Sequence, residues 1–357
     1  RRGSQGISAT FDLFLDAVNR RLSGQLDFNP KRSLVRMAVK SLARVFAERG
    51  EHWVTEAEAE DLVNDLLPDQ GFERSLYRGL ITEGVLLKEV VWNRGGAREE
   101  VVQIGYQRLC DHLCAEQLLD LHLDPSEPHA AFMPGKPLAF LSDPQEYVAP
   151  GLLEALCVQI PEKVAKELVE LTPRVEEQCW FARAFLQSLI WRRSPDAFSE
   201  ATFDVLNRLM GSDQTIDEAL EVVVTLATIP NHPLNAASLH NVLLNEPMPD
   251  RDAWWSTCLH RAYGNKGAVD RLVEWAWSVT PTHKLDGEVL DLSSTALAWM
   301  LTTSNRYLRD RATKALVSLL TGQLSAVARL VDRFAEVDDP YVAERVYAVA
   351  YGCAMRS

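Results

Sequence analysis

Apolar residues recur along most of the chain at intervals of three and four, the spacing that puts them on one face of an α-helix. Thr10 to Leu22 carries Phe11, Phe14, Leu15, Val18 and Leu22 at that spacing, with Asp12 and Asp16 on the other side, and Gly24 predicts its end. A second helix is predicted from Ser33 to Arg49, with Leu34, Ala38, Leu42, Val45 and Phe46 in its stripe and Gly50 as its stop. Trp53 and Val54 read as briefly extended. Thr55 to Glu58 has the form of a capping box, in which Thr55 accepts a backbone N–H and Glu58 reaches back. The helix behind it buries Ala59, Leu62, Val63 and Leu66 and is closed by Pro68, and Phe72 to Thr82 predicts another with Leu76, Gly79 and Leu80.

The period then shortens to that of a strand. Gly84 to Trp92 (GVLLKEVVW) and Glu100 to Ile104 (EVVQI) form two extended runs, joined by a turn at Asn93-Arg94-Gly95-Gly96. Helix, short strand, helix, helix, hairpin is the order of a winged helix. Residues 1–30 are therefore expected to be the end of a preceding helical domain, and residues 31–121 a winged-helix domain. Val101 to Leu119 carries its last strand straight into a helix. Six of the 17 prolines fall between Pro125 and Pro150, which predicts a stiff, Pro-rich connector over residues 122–150.

After Pro150 the helical period returns and holds to the end. Candidate helices cover Leu152–Leu171, Trp180–Trp191, Glu200–Met210, Ile216–Thr228, Leu234–Leu244, Arg251–Tyr263, Ala268–Ser278, Ser293–Thr303, Leu308–Leu320, Leu324–Phe334 and Val342–Cys353. Short breaks rich in Pro, Gly, Asn and Asp separate them. The expected fold class is mainly α: a winged helix with a small β-hairpin, followed over 151–357 by an α-solenoid of HEAT/TPR-like helical hairpins. One internal repeat is visible: Tyr307-Leu308-Arg309-Asp310-Arg311-Ala312 matches Tyr341-Val342-Ala343-Glu344-Arg345-Val346 at an offset of 34 residues. The acid-Arg pair recurs in both copies, and such an Arg can bridge to the next hairpin.

At 357 residues the chain is long enough for two or three packed units. A net charge of −13 argues against a general nucleic-acid binder, since phosphate binding needs a basic surface. Six Cys in a chain of this length read as reduced thiols of a cytoplasmic protein. No apolar run reaches the roughly 18–20 residues that span a bilayer, so no membrane partner is expected. The opening RRGSQGIS, without Met, is expected of a fragment or a processed chain.

The candidate chemistry is sparse. Cys110, His112 and Cys114, with His122 and His129 nearby, invite a zinc reading. On a helix, however, the two Cys share a face while His112 points elsewhere, so core thiols with a surface His, and no metal, are expected. No nucleophile-elbow spacing and no HExxH pair is present, and neither GGAREE at Gly95 nor GNKGA at Gly264 has the form of a phosphate loop. The chain is thus expected to carry no catalytic residue and no cofactor, and not to be an enzyme by itself. Arg306, Arg309, Arg311 and Lys314 crowd one helix start, with Tyr341 and Arg345 in the second copy of the repeat, and Arg74 and Arg78 lie on what would be a recognition helix. Nine Trp include Trp275, Trp277 and Trp299, and the adjacent Trp254 and Trp255 cannot both face one core. Trp254, Trp255, Arg306, Arg309, Arg311, Tyr341 and Arg345 are therefore the candidate partner-binding residues. An alternative reading is a HEAT-like scaffold with a DNA-binding winged helix, and a third is a metal-dependent enzyme using the Cys/His cluster.

The run Ile104 to Ala115 (IGYQRLCDHLCA) resembles the end of the winged-helix domain of NACHT-type STAND NTPases, with Asp111 on its acidic position and Leu113-Cys114-Ala115 on its Leu-small-Ala end. That family has a His on the β-phosphate of ADP; Tyr106 stands at that position here, and its phenol is the implied nucleotide-phosphate sensor. SLIWR (Ser188 to Arg192), HPLNAASLH (His232 to His240), RDAWWS (Arg251 to Ser256), SNRYLRDRATKAL (Ser304 to Leu316) and DDPYVAERVYAVAYG (Asp338 to Gly352) resemble the region after the ATPase core in prokaryotic antiviral STAND proteins of the Avs group. The resemblance implies a sensor segment whose repeats bind a phage protein such as a portal or large terminase subunit. It also implies ATP and Mg in an upstream domain, assembly into a homo-oligomer such as a tetramer, and a separate effector.

Overall fold

A computed structural model describes residues 6–68, 71–92, 98–279 and 285–356. The protein is mainly helical with a small three-stranded antiparallel sheet. It divides into two compact units, the first running through Ala201 and the second from Thr202 to the last helix. No described helix is long and apolar enough to cross a membrane.

In the first unit, α1 (Gly6–Leu26) packs on α2 (Leu34–Arg49). Gly24 does not end α1, contrary to expectation: Leu22 and Leu26 both enter the core, and their burial outweighs the roughly 1 kcal/mol cost of a mid-helix glycine. After β1 (Val54–Thr55) comes α3 (Glu56–Asn64), where Thr55 Oγ1 accepts from the Glu58 N–H at 3.3 Å. Glu58 does not complete the capping box; its carboxylate pairs with Arg49, 2.8 Å away. A 3₁₀ turn at Phe72–Arg74 precedes α4 (Leu76–Thr82), which Ser75 caps at the Arg78 N–H. A Cβ on Gly79 of α4 would lie 2.9 Å from Leu22 Cδ2, so this glycine lets α4 approach α1 closely.

The sheet has the order β1-β3-β2, with β2 (Leu86–Trp92) and β3 (Arg98–Ile104) paired from Leu86↔Ile104 to Trp92↔Arg98. The turn expected at Asn93–Gly96 lies outside the described residues. The base of the hairpin is buried through Leu86, Val102 and Ile104, while Val90 and Trp92 stand in solvent. β1 joins β3 at Val54↔Val102 and Thr55↔Val101. β3 leads into α5 (Gln107–His122), which packs on α2 and on α6 (Pro150–Val164), and α6 packs on α8 (Phe181–Trp191).

The stretch expected to be a connector is not one. Residues 122–150 hold two 3₁₀ turns, Pro128–Phe132 and Ala139–Ser142, and bury Ala131, Phe132, Leu138 and Leu141. Ser142 Oγ lies 2.6 Å from Thr172 Oγ1, and Gln178 Nε2 donates to the Asp143 carbonyl at 2.8 Å. The prolines exclude long helices, but the apolar residues between them still pay for an ordered path. The first unit therefore runs past Pro150, where a boundary was expected. The single helix expected over Leu152–Leu171 is two, α6 and α7 (Leu168–Leu171), broken where Ala165 turns left-handed at φ 52°.

In the second unit, α9 (Glu200–Met210), α10 (Ile216–Leu226) and α11 (Ala236–Asn245) precede a composite helix: α12 (Met248–Arg251), a π-helical turn at Asp252–Ser256 and α13 (Thr257–Ala262). Then come α14 (Ala268–Ser278), α15 (Gly287–Trp299), α16 (Arg306–Leu320), α17 (Leu324–Phe334) and α18 (Pro340–Ala354). Helices α14, α16 and α18 pack in succession in one layer, and α11, α15 and α17 in another. The 34-residue offset extends to the caps: Asn305 Oδ1 accepts from the N–H groups of Tyr307 and Leu308, and Asp339 Oδ1 from those of Tyr341 and Val342.

Candidate functional site

Three adjacent helices of the second unit form a groove of about 580 Å³, within the roughly 300–1,000 Å³ range of ligand-sized clefts. Phe203, Leu206 and Met210 recur at helical spacing on α9 and contribute one wall. Ile216 and Val223 come from α10, and Leu239 and Val242 from α11. Its polar lining consists of Asn207, Ser238 and the carboxylates of Asp213 and Glu246, with no Lys or Arg among the lining residues. Trp254 completes it, its indole Nε1 donating to Glu246 Oε2 at 2.7 Å. The site suits an apolar group that carries a cation beside it.

The π turn explains how two neighbouring tryptophans serve two environments. Trp255 is wholly buried and donates to the Trp299 carbonyl at 3.0 Å, while Trp254 is half-exposed in the groove, the two rings meeting edge to face at 5.7 Å. The widened turn changes the angle between successive side chains, and such turns gather at functional sites. Of the pair, only Trp254 is accessible from solvent. Arg251, one turn earlier and fully buried, fixes the segment. It donates to the carbonyls of Leu243 and Glu246 at 3.1 Å and of Asp338 at 3.0 Å, and its guanidinium lies 5.3 Å from the Trp299 ring.

His240 of α11 packs on Trp299 and Phe334 and accepts from Trp299 Nε1 at 3.1 Å. Burial, aided by the charge of Arg333, lowers its pKa to about 4. Above pH 6.5 the imidazole is neutral in folded and unfolded chains alike. Between about 6.5 and 4 only the unfolded chain takes the proton, so stability falls with pH over that window. His240 is expected to account for about 2 kcal/mol of the stability lost between pH 7 and 4.5, read by urea unfolding with Trp fluorescence as the difference between the chain and its His240→Leu variant. A His240→Leu protein showing the same pH slope would contradict it.

The other candidates collect at the starts of α16 and α18. Arg309 and Arg345 flank the Tyr341 ring at 5.2 and 5.1 Å, Arg345 Nε donates to the Tyr341 hydroxyl at 2.8 Å, and Arg345 reaches Asp310 at 3.6 Å. The expected acid-Arg bridge thus links the second copy of the repeat back to the first. Arg306 is the most exposed, 3.7 Å from Asp310, while Arg311 and Lys314 lie over Trp277. These residues meet one another but not the Trp254 groove, whose lining includes none of them. In the first unit, Tyr106 is exposed at the N-cap of α5, its ring edge-on to Phe14 at 5.2 Å. Arg74 donates to the Gln25 carbonyl at 3.2 Å, an intramolecular use of a residue that a DNA-reading helix would need.

The Cys/His cluster differs from expectation. His112 is not on the surface: it is 7% exposed, with Gln159 Nε2 at 3.1 Å from Nδ1 and donating to its carbonyl at 2.8 Å, and burial lowers its pKa to about 4. The imidazole that meets Cys110 and Cys114 belongs to His52, in the loop between α2 and β1, with Nδ1 at 3.8 Å from Cys110 Sγ. One donor atom from each of the three lies within 4.8 Å of the others. No local spacing reveals His52; the pairing of β1 with β3 carries it to α5. His122 and His129 are exposed and lie outside the cluster.

No family model, no curated protein and no solved structure matches this chain.

Proposed function

We propose that this chain is the recognition and relay segment of a STAND-type NTPase that senses phage proteins. Its second unit is a HEAT-like array of helical hairpins and its first unit contains a winged helix. The observation that carries the reading is the Trp254 groove, an apolar cleft with a carboxylate rim and a hydrogen-bonded indole. Its occupant is a protein segment with an apolar side chain next to Lys or Arg, matched to the charge of Asp213 and Glu246 and to the acidity of the chain. The order α2-β1-α3-α4-β2-β3 and the two-layered stacking of α14 to α18 support the two domain assignments. The resemblance around Ile104 to Ala115 supports an ATPase core elsewhere in a longer polypeptide, with ATP and Mg bound there and Tyr106 directed to a nucleotide phosphate. Target binding then biases a two-state equilibrium by its unequal affinity for the two states, and assembly into an oligomer follows.

The test is binding of the purified chain to phage portal and large terminase proteins by interferometry. Trp254→Ala is expected to weaken binding by about 2 kcal/mol, roughly thirtyfold in Kd, while costing less than about 1 kcal/mol of stability. Absence of binding to both proteins, or binding indifferent to Trp254→Ala, would sink the reading.

A further inference from the structure

We propose that His52, Cys110 and Cys114 form a binding site for a thiophilic divalent metal ion, zinc by the chemistry of its donors. Zinc held by thiolates at about 2.3 Å and imidazole at about 2.0–2.1 Å needs donor atoms roughly 3.5–4 Å apart. The 3.8 Å between Cys110 Sγ and His52 Nδ1 meets that requirement, and all three donors lie within 4.8 Å of one another.

The arrangement follows from the fold. Cys110 and Cys114 are one helical turn apart on α5 and share a face. β1 pairs with β3, the strand that leads into α5, and so draws the loop with His52 against that face. Both thiols are buried while His52 is half-exposed, so the imidazole is the donor nearest to solvent.

A Cys110–His52 nucleophilic pair fits the same residues less well. The neighbouring Cys114 and burial push the Cys110 thiol up, whereas a reactive cysteine needs a lowered pKa and access. A bound metal instead displaces the protons outright: the ion enters, two S–H bonds give two metal–sulfur bonds, two protons leave to solvent, and the imidazole binds neutral. The ion would tie the loop after α2 to α5 and hold the short β1 pairing in place.

The full chain, stripped with a chelator under reducing conditions, is titrated with cobalt(II) and then zinc. One equivalent of cobalt is expected to give the thiolate-to-cobalt charge-transfer band and the visible bands of a tetrahedral site, all displaced by zinc. Zinc should raise the unfolding midpoint by roughly 5 °C. His52→Ala should weaken cobalt binding by more than roughly tenfold, Cys114→Ser should diminish the charge-transfer band, and Cys179→Ser, at an exposed thiol, should change nothing. Absence of the band at one equivalent overturns the proposal. So does a band that survives His52→Ala unchanged or disappears with Cys179→Ser. His52 sits in a half-exposed loop, so its variant remains informative if the cysteine variants fail to fold.

Discussion

Replacing Glu167 by Gln is expected to destabilise the first unit by about 3–5 kcal/mol. Glu167 and Arg192 form an ion pair whose side chains are 2% and 0% exposed. Arg192 Nη2 lies 3.0 Å from Glu167 Oε2, and the same guanidinium donates to the Ala197 carbonyl at 2.8 Å and to Ser188 Oγ at 3.1 Å. The rings of Phe185 and Phe198 lie 5.6 and 5.4 Å from it. The pair joins the residue before α7 to the end of α8 and the turn beyond it. Both charges have left water, and neutralising one leaves the other buried without compensation. The pair need not be a large net stabiliser, since desolvation offsets most of the attraction. The double variant Glu167→Leu/Arg192→Met should therefore recover much of the loss seen in Glu167→Gln. Urea unfolding of the three proteins decides the matter; a loss below about 1 kcal/mol in the single variant would mean that water reaches the pair.

How much of this was legible in the sequence depends on the range of the forces involved. The stripes of α2, α16 and α17 have the helical period because each helix buries one face, so their positions follow from local spacing. The acid-Arg recurrence found α16 and α18 together, and the Arg345–Asp310 bridge joins them. Local reasoning failed where distant packing decides. Gly24 reads as a stop, yet Leu26 has a buried place beyond it. The prolines of 122–150 read as a connector, yet Phe132, Leu138 and Leu141 find a core. The π turn at Asp252–Ser256 leaves no mark on the period that distinguishes it from an ordinary helix. His52 meets Cys110 across 58 residues through strand pairing, so its partnership exists only in the folded chain. The groove was half legible: the argument that Trp254 and Trp255 must face apart was available from their adjacency, but the walls from α9 and α10 were not.

Trp255→Ala is expected to cost about 3–5 kcal/mol, whereas Trp254→Ala, one residue away, should cost less than about 1 kcal/mol. Trp255 is among the largest wholly buried side chains, and its removal opens a cavity and leaves the Trp299 carbonyl without its indole donor. Trp299 is itself the donor to His240 and lies against Arg251, so the damage reaches the hydrogen bonds that hold the end of α11 to the residues before α18. Trp254 loses one bond to a carboxylate that water can replace. Denaturant midpoints of the two variants test the contrast, and similar losses would show that the π turn does not separate the two side chains. The same pair distinguishes two routes to lost recognition. If the groove binds the proposed partner, Trp255→Ala is expected to weaken that binding by lowering the folded fraction, a loss that a stabilising osmolyte should rescue. Trp254→Ala removes a contact from a groove that is still formed, and no gain in stability restores it.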